Sequence, residues 1–315
     1  MIYLFLLISA AVLAWFFHAT SQPAESYIAS KAPEIYETAG SKHHVERVPR
    51  IIWSYWHSEK KPIVATQCLK NWQACNPEFE VRMLHADNVK DFISADKLPR
   101  NFHQLVFQHQ ADWLRLALLD QYGGIWLDSS IFLTASLDWA IALQAQTGAE
   151  YLGYEIEDWK TAGSAYPIIE NWCMVAIKAS PFVHAWLLEF TLALEDGKAY
   201  LAGLKAQGTY DETLQKIIRP EYFLMHVTAQ RVLRNHDGYK ICLLDARDSA
   251  FFYHAKSDFV LSRLFWRLLF LRRPEAVPVV IKLRGRERRK LEKFLKYGIY
   301  RRKSIVGVHL AGVKK

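Results

Sequence analysis

The chain has 315 residues, a length that fits one large domain with appendages. Hydrophobic residues make up 51% of the chain and aromatic residues 14%, against 23% charged residues. This much apolar surface can offset the entropy lost on folding, so an intrinsically disordered protein is excluded. The counts of 14 Gly, 11 Pro and 4 Cys also exclude collagen-like, low-complexity and disulfide-stapled proteins.

The net charge of +8 is distributed unevenly along the chain. Residues 263–315 contain 17 Lys or Arg and 3 Glu, a net charge of +14, so residues 1–262 carry a net charge of −6. Confinement of positive charge to the C-terminal segment argues against a nucleic-acid-binding protein. It favours a local contact with anionic lipid headgroups, and membrane lipids are therefore an expected partner.

Residues 1–18 form an apolar run without Asp, Glu, Lys or Arg. Roughly 17 to 25 apolar residues in a helix span a bilayer, so the run predicts a transmembrane anchor. A cleaved signal peptide is the alternative, but the run lacks a basic start and ends in bulky Trp15, Phe16 and Phe17. Lys31 is the first Lys or Arg after the run, which predicts a body on the cytoplasmic face of a bacterial inner membrane.

The next two predicted regions are a linker and a folded domain. Residues 19–47 lack sustained periodicity and are predicted to be a linker, and residues 48–258 are predicted to form the domain. Residues 50–54 and 79–84 are predicted strands, and residues 62–75 between them are a predicted helix. This β-α-β order predicts an α/β fold with a parallel sheet.

The longest predicted helix covers residues 102–122. It ends at Gly123-Gly124, because glycine tolerates the left-handed conformation found after a helix. Residues 125–127 then form a short buried strand, which places Asp128 at the carboxyl end of that strand. Ligands of open α/β sheets bind at this edge of the sheet.

Three side chains that could bind a ligand are predicted to lie near that edge. Asp112 and Arg115 are three residues apart on the predicted helix, so they share one face of it. Such a pair alone is more typical of a surface ion pair, and Asp128 alone of a loop cap. Together with the intervening glycine turn and strand, the three residues predict one ligand-binding crevice.

Residues 259–315 are predicted to form a basic amphipathic tail. Residues 259–271 are apolar apart from Arg263 and Arg267, and residues 286–303 place apolar side chains at helical spacing among Lys and Arg. Both stretches are typical of helices that lie in a membrane interface. The alternative is a core helix followed by a solvated basic helix.

Six short motifs occur in a fixed order between about residue 48 and about residue 180. They are Pro49–Trp56, Cys68–Trp72, Asn76–Phe79, Ala111–Arg115, Tyr122–Gly124 and Leu127-Asp128. In these motifs the chain resembles the family 32 glycosyltransferases, and more closely the capsular polysaccharide synthesis branch related to them. Each motif alone is weak, whereas the ordered series is fairly specific.

The resemblance implies a GT-A-like (Rossmann-like) nucleotide-sugar-binding domain with a nucleotide diphosphate sugar donor, a divalent metal (Mn²⁺ or Mg²⁺) and retention of anomeric configuration. The implied acceptor is a polysaccharide or lipid-linked oligosaccharide. By this resemblance Asp112 and Arg115 would bind the donor sugar, with Arg115 and Asp128 as the catalytic residues. A cation near the diphosphate would stabilise the charge that develops as the glycosidic bond breaks.

Further substrate-binding residues follow from the same resemblance. Trp53 or Trp56, from the first strand, would help to bind the nucleobase, and Gly124 belongs to the matched glycine motif. Asn171 and Lys178 flank a strand similar to a later family element and would reach the acceptor side.

The chain departs from the family pattern at Ser130, which stands where the second acid of the Asp-x-Asp motif is expected. Asp128 and Ser130 are therefore the predicted metal ligands, although a hydroxyl brings no formal charge. His226 and either Asp245 or Asp248 are candidates for a further ligand.

The leading hypothesis is a membrane-associated glycosyltransferase of capsule or other surface glycan synthesis. A non-catalytic membrane scaffold or carbohydrate-binding protein with a degenerate transferase fold is the alternative, in which Ser130 marks the loss of metal chemistry. A glycoside hydrolase would need two facing carboxylates, and no second one is evident in the sequence.

Overall fold

The computed structural model of the chain describes Ala11, Val12, Ala14 and residues 17–312. The strands are β1 (Glu34–Glu37), β2 (Ile51–Tyr55), β3 (Glu80–Leu84), β4 (Gly124–Leu127), β5 (Ile131–Leu133), β6 (Tyr151–Glu155), β7 (Ile169–Ala176), β8 (Lys240–Asp245) and β9 (Val280–Lys282). The α-helices are α1 (Ile63–Cys75), α2 (Phe107–Tyr122), α3 (Asp138–Thr147), α4 (Pro181–Glu195), α5 (Gly197–Ala206), α6 (Tyr210–Leu214), α7 (Leu224–Asn235), α8 (Phe252–Ala255), α9 (Leu261–Phe265) and α10 (Gly285–Lys296).

The central sheet has the strand order β1-β8-β6-β7-β4-β2-β3. Strand β2 pairs in parallel with β3 and with β4, and β6 pairs in parallel with β8. Strand β7 runs antiparallel to both β4 and β6, and β1 runs antiparallel to β8 at the edge. The expected α/β class and the parallel β-α-β unit of β2, α1 and β3 are thereby confirmed.

A two-stranded sheet brings the C-terminal region onto the domain. Strand β9 pairs antiparallel with β5, with Ile131 opposite Lys282 and Leu133 opposite Val280. Since β5 begins three residues after Asp128, this pairing places β9 directly beside the carboxyl end of β4.

Helices cover both faces of the central sheet. On one face α1 packs against β5 and α10, around a core that includes Trp72, Leu283 and Leu291. On the other face α2 packs against α4, which packs against α7, around Trp113 and Trp186. The sheet is therefore buried on both sides, as its near-continuous apolar strands require.

The predicted helix over residues 102–122 is interrupted near its start. Residues 102–104 form a single 3₁₀ turn, Leu105 and Val106 are extended with ψ of 147° and 145°, and α2 begins only at Phe107. The Gln110 amide donates to the carbonyl oxygens of Phe102 and Leu105 at 3.2 and 3.1 Å, which satisfies backbone groups freed by the interruption.

The helix ends where the glycine turn predicted it would. Gly123 has φ of +68° and follows the last residue of α2. A β-carbon at this position would lie 2.7 Å from the backbone nitrogen of Lys178, so any other residue would be both strained and in collision.

The segment predicted to be a linker contributes to the folded body. Strand β1 lies within residues 19–47, and the Lys31 ammonium contacts Asp245 at 2.6 Å. Ala24 donates its backbone N–H to the carbonyl of Arg272 at 2.8 Å.

The predicted anchor over residues 1–18 lies largely outside the described residues. Within the described part of the chain, no helix has both the length and the apolar character needed to cross a membrane.

The apolar faces of the tail pack against the protein. Leu264 and Leu268 are buried in the core, Leu291 is 1% exposed, and Phe294 and Leu295 lie partly buried against the same core. The periodicity that predicted contact with lipid is therefore explained by contact with the domain. An amphipathic helix has the same pattern in both situations.

A buried ion pair fixes the start of α10. The His254 ring contacts Glu287 at 2.7 Å, and both side chains are at most 1% exposed. Arg284 donates from its backbone and from Nε to the same carboxylate at 2.7 and 2.6 Å. Burial opposes ionisation of Glu287, but the hydrogen bond and charge of His254 and the hydrogen bonds from Arg284 outweigh it and lower its pKa to about 2.

We predict that Glu287→Gln lowers the free energy of unfolding by about 3 kcal/mol at pH 7. The lowered pKa means that the folded protein favours the ionised carboxylate, and glutamine cannot ionise. The deficit should persist above the unfolded pKa of 4.5 and shrink as pH falls towards 2. Urea unfolding of both proteins across this range measures it, with exposed Glu275→Gln as the control. A deficit independent of pH would contradict the assignment.

Candidate functional site

A cavity of about 730 Å³ opens at the carboxyl edge of the parallel strands. The residues just after β2, β4, β6 and β8 line it, together with the first residues of the antiparallel β7. This is the position at which open α/β sheets bind ligands, because the loops diverge there. The crevice expected beside Asp128 is thus present.

The three predicted residues of the crevice are in direct contact. Arg115 Nη2 lies 3.1 Å from Asp112 Oδ1 and 3.3 Å from Asp128 Oδ1. Asp112 and Arg115 are almost fully buried on α2, and the Arg115 guanidinium lies 5.0 Å from the ring centroid of Trp126. The pair is therefore part of the cavity floor and is not the surface ion pair that its spacing alone would suggest.

Asn171, at the start of β7, completes this contact network. Its side-chain amide donates to Asp112 Oδ1 at 3.2 Å, and its backbone carbonyl oxygen accepts a hydrogen bond from Arg115 Nη1. Asn171 also lines the cavity. The predicted substrate-binding residues Asp112, Arg115 and Asn171 are hence held in one fixed arrangement.

Asp128 contacts two cationic side chains and one indole N–H. Trp126 Nε1 donates to its Oδ1 at 3.1 Å, and the Lys282 ammonium contacts its Oδ2 at 2.7 Å. Burial alone would raise the pKa of Asp128, but the charges of Lys282 and Arg115 and the hydrogen bonds from Lys282 and Trp126 prevail and lower it. Asp128 is consequently a stable anion.

Lys282 is a site residue that the sequence analysis missed. It ends β9, its side chain is only 10% exposed, and its ammonium also contacts the Ser130 hydroxyl at 3.0 Å. It had been included in the basic tail. The available signal was its position in the apolar run Val279-Val280-Ile281-Lys282-Leu283, which is typical of a buried strand and not of an interfacial helix.

The residues around Asp128 do not fit the expected Mn²⁺ or Mg²⁺ ion. Such ions prefer several oxygen ligands with negative charge, whereas Ser130 is neutral and both predicted ligands already bind a lysine ammonium. Over the described ranges, no cluster of three or more His, Cys, Asp or Glu side chains is placed to hold a metal. The two predicted metal ligands instead contact Lys282, and a divalent ion at Asp128 and Ser130 stays a prediction that their surroundings do not fit.

Of the remaining predicted ligands, only His226 lines the cavity that contains Asp128. Asp245 pairs with Lys31, and Asp248 accepts hydrogen bonds from Ser30 at 2.8 and 2.6 Å, and neither aspartate lines the cavity. His226 does line the cavity, 3.6 Å from Glu170 Oε2, and both of its ring nitrogens lack a hydrogen-bond partner among the described residues.

The two predicted tryptophans occupy different environments. Trp56 lines the cavity, with the Arg288 guanidinium 4.9 Å from its ring centroid. Trp53 is fully buried beneath the sheet, where its Nε1 donates to the carbonyl of Gly123 at 2.9 Å. Side chains alternate between the two faces of a strand, so the sequence alone did not show which of the two tryptophans faces the cavity. Trp53 lies within β2, whereas Trp56 follows its last residue.

Gly124 and Lys178 are also placed away from the cavity. A β-carbon on Gly124 would lie 2.7 Å from the carbonyl oxygen of Ile51, so this glycine permits close approach of β2 and β4. Lys178 follows the end of β7, whereas Asn171 lies near its start. Because β7 is antiparallel to β4, Lys178 is at the opposite edge of the sheet from Asp128.

Other charged and aromatic side chains of the cavity were not predicted. Three further cationic side chains and several aromatic rings also line it. These residues are Arg247, Arg284, Arg288, Phe107, Trp159, Tyr222, Phe223 and Phe259. The cavity thus combines a charged floor with aromatic surfaces.

The cavity-floor residues Asp112, Arg115 and Asp128 lie in a region that matches a known family. A family model described as capsular polysaccharide synthesis protein matches residues 16–240. The chain belongs to this family. The match includes Asp112, Arg115 and Asp128, and it ends before Lys282. The family 32 relationship stays a resemblance.

Curated relatives of this family member are fungal glycosyltransferases. The chain is 27% identical over 169 residues to the O-glycosyltransferase braB of Annulohypoxylon truncatum, covering 48% of this chain and 39% of that protein. It is 29% identical over 170 residues to the glycosyltransferase afumC of Aspergillus fumigatus, covering 49% of this chain and 43% of that protein. The chain thus spans roughly two fifths of these relatives' length.

A solved structure of the galactosyltransferase LgtC in complex with donor and acceptor sugar analogues is a distant likeness. It shares 13% identity and a TM-score of 0.39, over 75% of this chain and 87% of that one. The family model, and not this likeness, supports the identification.

We predict that Arg115→Met lowers the free energy of unfolding by about 3 kcal/mol, because buried Asp112 and partly buried Asp128 lose their shared partner. Urea unfolding at pH 7 measures the loss. The control is Arg263→Met, whose ion pair with Asp258 has 58% and 74% exposed side chains and is expected to change stability by less than about 1 kcal/mol. Equal effects of the two substitutions would show that the Arg115 network is not stabilising.

Proposed function

We propose that the protein is a glycosyltransferase that moves a sugar from a nucleotide diphosphate sugar to a polysaccharide or lipid-linked oligosaccharide in capsule or other surface glycan synthesis. The observation that carries the proposal is the Asp112–Arg115–Asp128 network at the floor of a large cavity, in a member of the capsular polysaccharide synthesis family.

The charges of the cavity suit a nucleotide diphosphate sugar. Asp112 and Asn171 offer oxygen and amide groups for sugar hydroxyls, and Lys282 and Arg288 offer cationic groups for the diphosphate. Trp56 offers an aromatic face for the nucleobase. All of these groups line one cavity, and a nucleotide diphosphate sugar has three chemically distinct parts that they could bind.

The proposed reaction exchanges one bond at the anomeric carbon. The bond from that carbon to the diphosphate breaks, and its electron pair passes to the departing oxygen. The acceptor hydroxyl oxygen bonds to the same carbon and gives its proton to the departing diphosphate. We propose retention of configuration from the family resemblance; it would place the incoming and departing oxygens on the same face of the sugar. Fixed cations beside the diphosphate stabilise the charge that it gains.

The acceptor would bind along the aromatic surfaces of the cavity. Trp159, Tyr222 and Phe223 also line the cavity and offer aromatic faces for sugar rings. We further propose that the protein acts on the cytoplasmic face of a membrane, where a lipid-linked acceptor is accessible. The apolar run of residues 1–18 and the exposed basic side chains of α10 support this location.

A panel of nucleotide diphosphate sugars tests the proposal directly. Purified protein is incubated with each donor, and release of free nucleotide diphosphate is followed with and without candidate glycan acceptors. Turnover of one donor, with the anomeric configuration of the product assigned by NMR, would support the transferase and test retention. Binding of a donor without turnover under any condition would favour the non-catalytic carbohydrate-binding alternative.

We predict that Asp128→Asn reduces turnover at least about 100-fold, because it removes the anion that positions Lys282 and Arg115 at the diphosphate. The melting temperature should also fall, because Lys282 and Arg115 lose the anion that they share, so turnover is compared at a temperature at which the variant is folded. The rate of nucleotide release and a thermal melt measure the two effects. Full activity in the folded variant would remove Asp128 from the mechanism.

We predict that Trp56→Ala raises the donor KM roughly 5- to 100-fold with a smaller change in kcat, since base stacking on an aromatic ring is worth about 1–3 kcal/mol. The matched control is Trp139→Ala, a tryptophan that does not line the cavity. Equal donor KM values in wild type and Trp56→Ala would place the nucleobase elsewhere.

A further inference from the structure

The position expected for a divalent cation is occupied by a side chain of the protein. Lys282 Nζ lies 2.7 Å from Asp128 Oδ2 and 3.0 Å from Ser130 Oγ, in the two residues predicted to hold a metal. A Mg²⁺ or Ca²⁺ ion sits about 2.0–2.6 Å from its oxygen ligands, so an ion on these atoms would overlap the ammonium.

The other oxygen of Asp128 is also engaged. Asp128 Oδ1 accepts from Trp126 Nε1 at 3.1 Å and from Arg115 Nη2 at 3.3 Å. Each carboxylate oxygen therefore faces at least one N–H donor, and two of the three donating groups carry a full positive charge. A divalent ion would have to displace these groups and then be repelled by them.

The backbone holds Lys282 in this position. Strand β9 places Lys282 opposite Ile131 on β5, and Leu283 donates its backbone N–H to the Ser130 carbonyl at 3.0 Å. The ammonium is thus fixed by strand pairing as well as by its ion pair. A fixed cation costs no reorganisation when charge develops on a leaving group.

Lys282 retains the capacity to bind a ligand. An ammonium has three N–H donors, and Asp128 and Ser130 use two of them. Lys282 lines the cavity, and Arg284 and Arg288 line it nearby. One N–H of Lys282 therefore remains for a phosphate oxygen in a cationic part of the cavity.

We propose that the ammonium of Lys282 replaces the divalent cation, so that the protein binds the diphosphate of its donor without a metal. This inference rests on the proposed function for the class of donor. Ser130 is then a hydrogen-bond acceptor that positions the lysine, and the loss of the second motif acid is matched by the gain of a cation from β9.

Isothermal titration of the full-length wild-type protein with UDP, GDP, CDP, ADP and dTDP tests the proposal, each in EDTA and in Mn²⁺ or Mg²⁺. We expect at least one nucleotide to bind with Kd values that agree within about threefold between EDTA and metal. A larger tightening by metal would overturn the lysine proposal. This arm requires no substitution.

Variants then assign the effect to the side chain. Lys282→Met should weaken nucleotide binding in EDTA at least about tenfold, since a charge-assisted hydrogen bond is lost. Exposed Lys198→Met, on α5, is the matched control and should leave Kd unchanged. Ser130→Asp combined with Lys282→Met restores two acids without the lysine, and its nucleotide binding should become dependent on Mn²⁺. Unchanged binding in folded Lys282→Met, judged by its melting temperature, would overturn the proposal.

The outcomes separate this proposal from the proposed function. If a nucleotide binds only in the presence of metal, the donor class stands and the role of Lys282 is overturned. If no nucleotide binds under either condition, the donor class is overturned, and the role of Lys282 with it.

Discussion

The candidate site depends on a compact cluster of opposite charges in which Arg115 and Lys282 approach Asp128 from opposite sides. The cluster joins helix α2 and the end of strand β4, which are neighbours along the chain, to strand β9, which is distant from both. Burial of these charges is unfavourable unless each is paired, and with Asp112 the two cations and two carboxylates balance. The same pairing that makes burial tolerable therefore fixes the geometry of the cavity floor.

Local sequence signals predicted the main features of the fold between residues 48 and 128, but not strand β1 within the predicted linker. The β-α-β order, the glycine turn after α2 and the placement of Asp128 at a strand end depend on short apolar runs and on Gly and Pro, whose conformational effects are local. The contact of Arg115 with Asp128 was predictable for the same reason, because only one turn and one strand separate the two residues. Residues 198–258 gave no comparable pattern, and they fold into short helices and the single strand β8.

The rest of the site could not be predicted because it depends on pairing between distant segments. Lys282 is separated from Asp128 by 154 residues, and nothing local indicates that β9 pairs with β5. Amphipathic periodicity shows that a helix has an apolar face but does not identify what covers that face, so the tail was assigned to lipid. The buried contact between His254 and Glu287 shows that the tail instead belongs to the domain.

The pairing of β9 with β5 also has a consequence for the order in which the molecule is made. Asp112, Arg115 and Asp128 are synthesised long before Lys282, and the N-terminal parts of a chain begin to fold first. During that interval the carboxylates of the floor lack one of their two cations. The nascent domain therefore carries an incomplete charge cluster, and the cluster is complete only after the synthesis of Lys282, 154 residues after Asp128.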